Sequence, residues 1–386
     1  MAAGGRRALV PSTAITLLAL GASCSSSSGR VDAGGDARTA HVDSGHDARR
    51  PPTDARHDSA RDSGHDAGPH AIASLGAHTT GVSIRVATAS GAQTRTFDIT
   101  VPAVCDASHL VPLLFAFHGD GGNAAGMYGS FPIEQAATAA GGQAIFVYPD
   151  GTDDHVDPSG TDRAWDLFHD PGPYPYAYTP GHPAPADSDQ ATGNADVDFF
   201  DTMVEAFEKA FCVDRSKVFI TGMSDGGYFV NQLARWRSTV VKGVAPQSGG
   251  APFGNPDGTG DWQPPNYCVG TTGKVPALII HGAADSTVDP CNAVETQSYW
   301  ELADGCSGSA GNCTTSADTC TGTNLADPSS APTSPSSLNG LVDSGSDCLQ
   351  TEGCGAYPVV FCEIPGMGHQ VWTGAPEVVW SFFASL

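Results

Sequence analysis

The sequence predicts an α/β domain with a mostly parallel central sheet, helices on both of its faces and disulfides to hold it. Three observations carry this. Short continuous apolar runs alternate with stretches of helical periodicity through most of the chain, the pattern of strands buried on both faces by crossover helices. One such run leads straight through TGMSDGGYF into an amphipathic stretch. Ten cysteines lie beyond an N-terminal export-type segment, and an even number in an exported chain implies up to five disulfides.

Taken in order, the first element is an address. MAAGGRRALVPSTAITLLALGASC has Arg6 and Arg7, then an apolar run, then small residues before Cys24. This is an export signal over residues 1–23, too short for a spanning helix. The ending Gly21-Ala22-Ser23-Cys24 resembles a bacterial lipobox, which makes Cys24 the candidate lipidated residue at the outer surface; Gly21 stands where Leu is usual, so ordinary cleavage and a secreted form are the alternative. Residues 24–75 are rich in Ser, Asp, Arg, His and Gly, and DSGHDA occurs twice. Such a segment buries too little apolar surface to offset its ordering entropy, so a disordered linker is expected. The catalytic domain is expected over 76–386.

Within that domain, 82–88 and 94–101 read as an opening antiparallel pair. Further strands are expected at 113–118, 144–148, 218–221, 241–245, 277–281 and 359–363. Helices are expected at 133–140, 197–211, 227–237, 291–302 and 376–384, the last with Pro376 in its first turn. Two stretches break the alternation. Residues 155–191 form a Pro- and Tyr-rich excursion containing PGPYPYAYTPGHPAPA, with Trp165 before it, and 305–346 form a Ser-, Thr-, Gly- and Cys-rich insertion. Loops of this length are binding walls, lids or disorder.

The formal charge of −24 excludes nucleic acid and anionic membrane as partners on electrostatic grounds. No CxxC pair occurs and His does not alternate with Cys, so neither a metal site nor a cofactor is expected. The expected membrane association is through a lipid on Cys24 alone, and the expected form is a monomer.

Gly222-Met223-Ser224-Asp225-Gly226 fits G-x-S-x-G, the nucleophile elbow of α/β-hydrolases, with a strand before it and a helix after it as that template requires. Serine is a weak nucleophile until a base takes its proton and an acid orients the base. The hydrolase order is Ser, then acid, then His. His281 ends a strand, which leaves His369 in PGMGHQVW as base. Asp285 follows the strand 277–281 and is the expected orienter; Asp289, beside Pro290, suits a turn or cap. Oxyanion donors are expected from the Asp225 amide and, in the loop HGDGGN after strand 113–118, from the Asp120 amide, with Gly121 as second choice.

These residues bring a resemblance into view. LLFAFHGDGGN, ADVDFFDTMVEAFEKAFCVDRSKVFITGMSDGGYF, GVAPQSGG, ALIIHGAADSTVDP, YWELADGC and CLQTEGCGAYPVVFCEIPGMGH resemble secreted esterases grouping feruloyl esterases, acetylxylan esterases and polyhydroxybutyrate depolymerase-like enzymes. The resemblance runs from about residue 94 to the C-terminus and is nearest the feruloyl esterase branch. It implies an α/β-hydrolase fold, Ser224, Asp285 and His369 at the triad positions, and a Cys306–Cys354 pairing. It also implies a hydroxycinnamate ester of plant polysaccharide as substrate, with polyhydroxybutyrate and acetylated xylan as alternatives. The chain departs from the family in Gln370-Val371-Trp372 after the histidine and in the insertion around Cys313 and Cys320. A non-catalytic glycan-binding protein on the same scaffold is the rival reading from a different class.

Overall fold

The computed structural model describes residues 73–88, 91–153, 163–167, 194–252, 273–307 and 347–386. The export segment with Cys24, the linker up to residue 72, and Cys268, Cys313 and Cys320 lie outside the described residues.

The chain opens with β1 (Ala77–Thr88) and β2 (Gly91–Val101), which pair antiparallel. Both start earlier than the apolar pattern indicates: Gly91, Ala92 and Gln93 pair with Thr88, Ala87 and Val86, and β1 runs back to Ala77 across a register shift between Thr79 and Val82, as at a β-bulge. β3 (Val111–Phe117) follows, then two short helices, α1 (Ala124–Ser130) and α2 (Ile133–Ala139), and β4 (Ile145–Pro149). The sequence pattern does not reveal α1: it is seven residues long with two glycines, and its signal is the Asn123 cap, whose Oδ1 accepts the Gly126 amide. A small antiparallel pair, β5 (Thr152–Asp153) and β6 (Arg163–Ala164), stands apart from the main sheet.

Next come α3 (Ala195–Ala210), β7 (Val213–Met223), α4 (Asp225–Trp236), β8 (Gly243–Gln247) and β9 (Ala277–Gly282). α5 (Cys291–Asp304), β10 (Asp347–Gln350), β11 (Val359–Ile364) and α6 (Ala375–Ala384) complete the described chain. The sheet runs β1-β2-β4-β3-β7-β8-β9-β11-β10. Strands β4, β3, β7, β8, β9 and β11 are mutually parallel, and β10 caps the far edge antiparallel to β11.

Side-chain alternation along the strands divides the core into two layers. Leu113, Phe115, Ile220 and Ile279 point to the face covered by Phe199, Phe200 and Phe207 of α3, Leu233 of α4 and Trp300 of α5. Leu114, Phe146, Phe219 and Leu278 point to the opposite face, against Met127, Ile133, Val379 and Phe383. The loop after β3 therefore leads to a helix on one face, while the loop after neighbouring β7 leads to a helix on the other. Their divergence makes the carboxyl ends of β3 and β7 a topological switch point, the usual ligand position in an open α/β sheet. With this strand order and the sharp turn after β7, the architecture is the α/β-hydrolase fold.

Three disulfides join described residues: Cys105–Cys212, Cys306–Cys354 and Cys348–Cys362. The second is the pairing implied by the resemblance. The third links facing residues of β10 and β11, so it braces the strand that feeds the loop carrying His369. The chain end lies at the opposite rim: a Cβ on Gly243, at the start of β8, would come within 2.8 Å of the Leu386 side chain.

Candidate active site

Ser224 sits between β7 and α4 with φ 55° and ψ −120°, a conformation a β-carbon makes costly and packing must hold in place. The packing is visible. A Cβ on Gly222 would lie 2.3 Å from the Gly226 carbonyl oxygen, and one on Gly226 would lie 2.4 Å from the His118 carbonyl oxygen. Only glycine permits the backbone to fold this tightly. The Ser224 amide donates to the Gln247 carbonyl at the end of β8 (2.9 Å), which fixes the turn to the sheet.

His369, in the loop after β11, places Nε2 2.8 Å from Ser224 Oγ and Nδ1 2.7 Å from Asp285 Oδ2. A carboxylate only accepts, so Nδ1 carries the hydrogen and Nε2 is left to accept the serine hydroxyl. The Asp285 side chain has no exposed surface and that of His369 is 21% exposed. Burial alone would raise the Asp285 carboxyl; bonds from His369 and from the Val288 and Thr287 amides to its oxygens outweigh it and hold it below the usual carboxylate range. The acid therefore stays ionised beside an imidazole that can take a proton.

Asp289 is placed elsewhere: its Oδ1 accepts the Cys291 amide at the start of α5 (3.0 Å), the cap role suited to it. His281 is buried at the end of β9, where Nε2 donates to the Val288 carbonyl (3.0 Å) and lies 3.5 Å from Asp285 Oδ2. Burial lowers its pKa, so it is a neutral support under the acid loop.

Asp225 is the first residue of α4, so its amide belongs to the first turn of the helix, whose N–H groups have no partner within the helix. On the other side, a turn over 119–122 closes with the Gly122 amide donating to the Gly119 carbonyl (3.0 Å), and Gly121 takes φ 68°, as the third position of a type II turn demands. The Gly121 amide donates to the Arg163 carbonyl (2.9 Å). That engages the second-choice oxyanion donor, and the Asp120 amide is the donor in neither bond. The turn lies close to the serine: a Cβ on Gly119 would be 3.1 Å from Ser224 Cβ.

The sequence gives little sign of three further contributors. The buried His118 ring donates from Nδ1 to the Gly119 carbonyl (2.7 Å) and accepts the Gly151 amide at Nε2 (2.9 Å). Burial, the larger cause, lowers its pKa, consistent with a neutral ring that both donates and accepts. Trp165 donates its indole N–H to the His118 carbonyl (2.9 Å) and its amide to Asp225 Oδ2 (2.8 Å). The Asp225 carboxylate, which the motif leaves without a role, thus has a defined partner. The available signal was the single Trp165 ahead of the Pro- and Tyr-rich stretch.

No family model matches the chain. Sequence relatives include "Probable feruloyl esterase C" of Aspergillus niger, 26% identical over 215 residues, and feruloyl esterase C of Emericella nidulans, 24% identical over 298 residues. The first match covers 55% of this chain and 63% of the relative, so the chain spans less than two thirds of that protein; the second covers 75% and 83%. Among solved structures, an acetyl xylan esterase from Aspergillus awamori shares 20% identity over 75% of this chain and 94% of its own, with a TM-score of 0.49.

Proposed function

On the premise that this chain belongs with the feruloyl and acetylxylan esterases its sequence resembles, we propose that it is an exported serine carboxylic-ester hydrolase working through an acyl-enzyme. The observation that carries this is the continuous path from Ser224 Oγ through His369 to the ionised Asp285, 2.8 Å and 2.7 Å long, on a strained elbow. His369 Nε2 takes the hydroxyl proton as Ser224 attacks the ester carbonyl, and Asp285 stabilises the imidazolium that forms. The Asp225 and Asp120 amides receive the charge that develops on the carbonyl oxygen. His369 then returns the proton to the leaving alcohol. Water, activated by the same imidazole, releases the acid and frees Ser224.

The substrate we propose is a hydroxycinnamate ester on plant polysaccharide, supported by the names of the sequence relatives. A polyhydroxybutyrate or acetylated xylan chain would meet the same chemistry. Export is supported by the three disulfides and the leading segment; anchoring through a lipid on Cys24 is part of the same proposal. Among the described residues no helix is long and apolar enough to cross a membrane.

Ser224→Ala is expected to cut p-nitrophenyl acetate hydrolysis by at least about 10⁴-fold with an unchanged circular dichroism spectrum; retained activity rejects the assignment. Methyl ferulate, acetylated xylan and hydroxybutyrate oligomers compared on one purified preparation decide the acyl class.

A further inference from the structure

The two turns that would supply the oxyanion donors belong to different strands, and a five-residue strap at 163–167 fastens them together. Its Arg163 carbonyl takes the Gly121 amide (2.9 Å) from the turn after β3. Its Trp165 amide gives to Asp225 Oδ2 (2.8 Å) on the elbow after β7, and the Trp165 indole N–H gives to the His118 carbonyl (2.9 Å). The indole is buried, stacked on Phe229 at 5.2 Å and edge-on to Phe117 at 5.0 Å. Beyond it the Asp166 amide donates to Asp196 Oδ2 (2.7 Å), and Asp196 is itself paired with buried Arg95 (2.6 Å). The strap is therefore anchored to the body of the fold on one side and to both turns on the other.

The side chain of Asp225 poses a physical problem. It sits beside the amide that faces developing negative charge, where a carboxylate turned inward would oppose the reaction. Its bond to Trp165 turns it toward the strap. We propose that the Asp225 carboxylate and Trp165 are positioning residues: through the strap they set the spacing of the Asp120 and Asp225 amides, and so the fit to the oxyanion. This rests on the ester-hydrolase reading for its chemistry, but the strap itself can be tested without it. A small misplacement of such donors costs up to about a hundredfold in rate.

The test compares Asp225→Ala, Asp225→Asn and Trp165→Phe with the wild type by two readouts. The first is hydrogen exchange at the Gly121 amide, which needs no activity: Asp225→Ala is expected to speed it by about tenfold or more as the strap loosens, and Asp225→Asn, whose side-chain oxygen still accepts the Trp165 amide, to stay near wild type. The second is p-nitrophenyl acetate kinetics: Asp225→Ala is expected to lower kcat by about ten- to a hundredfold with KM changed by less than about threefold, and Asp225→Asn to restore most of kcat. Trp165→Phe, which keeps the ring and loses the indole donor, should also lower kcat, and it carries the test should Asp225→Ala not fold. Unchanged Gly121 exchange in Asp225→Ala, kcat within twofold of wild type, or an Asn variant as impaired as the Ala variant each overturns the proposal. A wild type with no ester hydrolysis would instead defeat the functional reading, and the exchange data would still decide the strap.

Discussion

At the scale of single residues, Asp285 and His281 show how burial is used twice with opposite results. Asp285 is held ionised because amides and an imidazole meet its oxygens; Asp285→Asn removes the charge and the preference for the productive tautomer. A fall of about 10³- to 10⁴-fold in kcat is expected, measured on p-nitrophenyl acetate with protein of unchanged melting behaviour. His281 and His118 are both held neutral, with pKa values below the ordinary 6.5. Below pH 6.5 the unfolded chain binds protons at these rings that the folded chain refuses, so stability is present above that pH and lost as pH falls, by up to about 1.4 kcal/mol per unit for each ring. Asp304, raised by burial to about 8, acts in the opposite sense, its contribution being lost as pH rises toward 8. The difference between wild type and His281→Gln separates the two: urea denaturation from pH 6.5 to 5.5 should give the variant the flatter slope. The grouping of Ser224, Asp285 and His369 was legible from chain order together with the place of each just past a strand, because the fold dictates both. The roles of the His118 ring, Trp165 and the Asp225 carboxylate were not, since their meaning lies in carbonyls and amides contributed by distant segments.

At the scale of elements, the strongly apolar strands were legible, because a strand buried on both faces leaves a continuous run in the sequence. The helices 197–211, 227–237 and 376–384 were equally plain. Hidden elements were those stabilised by neighbours and not by their own pattern: α1 with its two glycines, the four-residue β10 fastened by Cys348–Cys362, and β6, whose two residues lie inside the strap. The elbow offers a direct test of tertiary constraint. Gly226→Ala places a methyl 2.4 Å from the His118 carbonyl oxygen and 2.5 Å from that of Phe117, where no flexible group can yield. The variant is expected to lose activity and fall by several degrees or more in Tm. Gly129, exposed within α1, has nothing within 4 Å of its hypothetical Cβ; Gly129→Ala should stabilise by about 0.4 to 1 kcal/mol through helix propensity and a less free unfolded chain. Thermal melts of the two variants side by side check both.

At the scale of the whole molecule, the disulfides act on the unfolded chain at very different ranges. Cys348–Cys362 spans 14 residues and Cys105–Cys212 spans 107. On the chain-entropy account the first contributes about 3 kcal/mol and the second up to about 4.7. Denaturant titration of the Cys348→Ala/Cys362→Ala and Cys105→Ala/Cys212→Ala double variants should therefore show the larger loss for the longer loop. The register of the opening strands fixes where the described chain enters the fold. Ala77 of β1 faces Val101 of β2, and Thr100 faces Phe146 near the start of β4, whereas Phe97 faces Pro149 at its end. The described chain thus enters at the rim where the parallel strands begin, and Leu386 lies at that rim too, beside Gly243. Ser224 and His369 occupy the other rim. Coupled to a bead, a sensor surface or a fused module through either of these points, the molecule would face outward, with the rim that carries Ser224 and His369 turned away from the support.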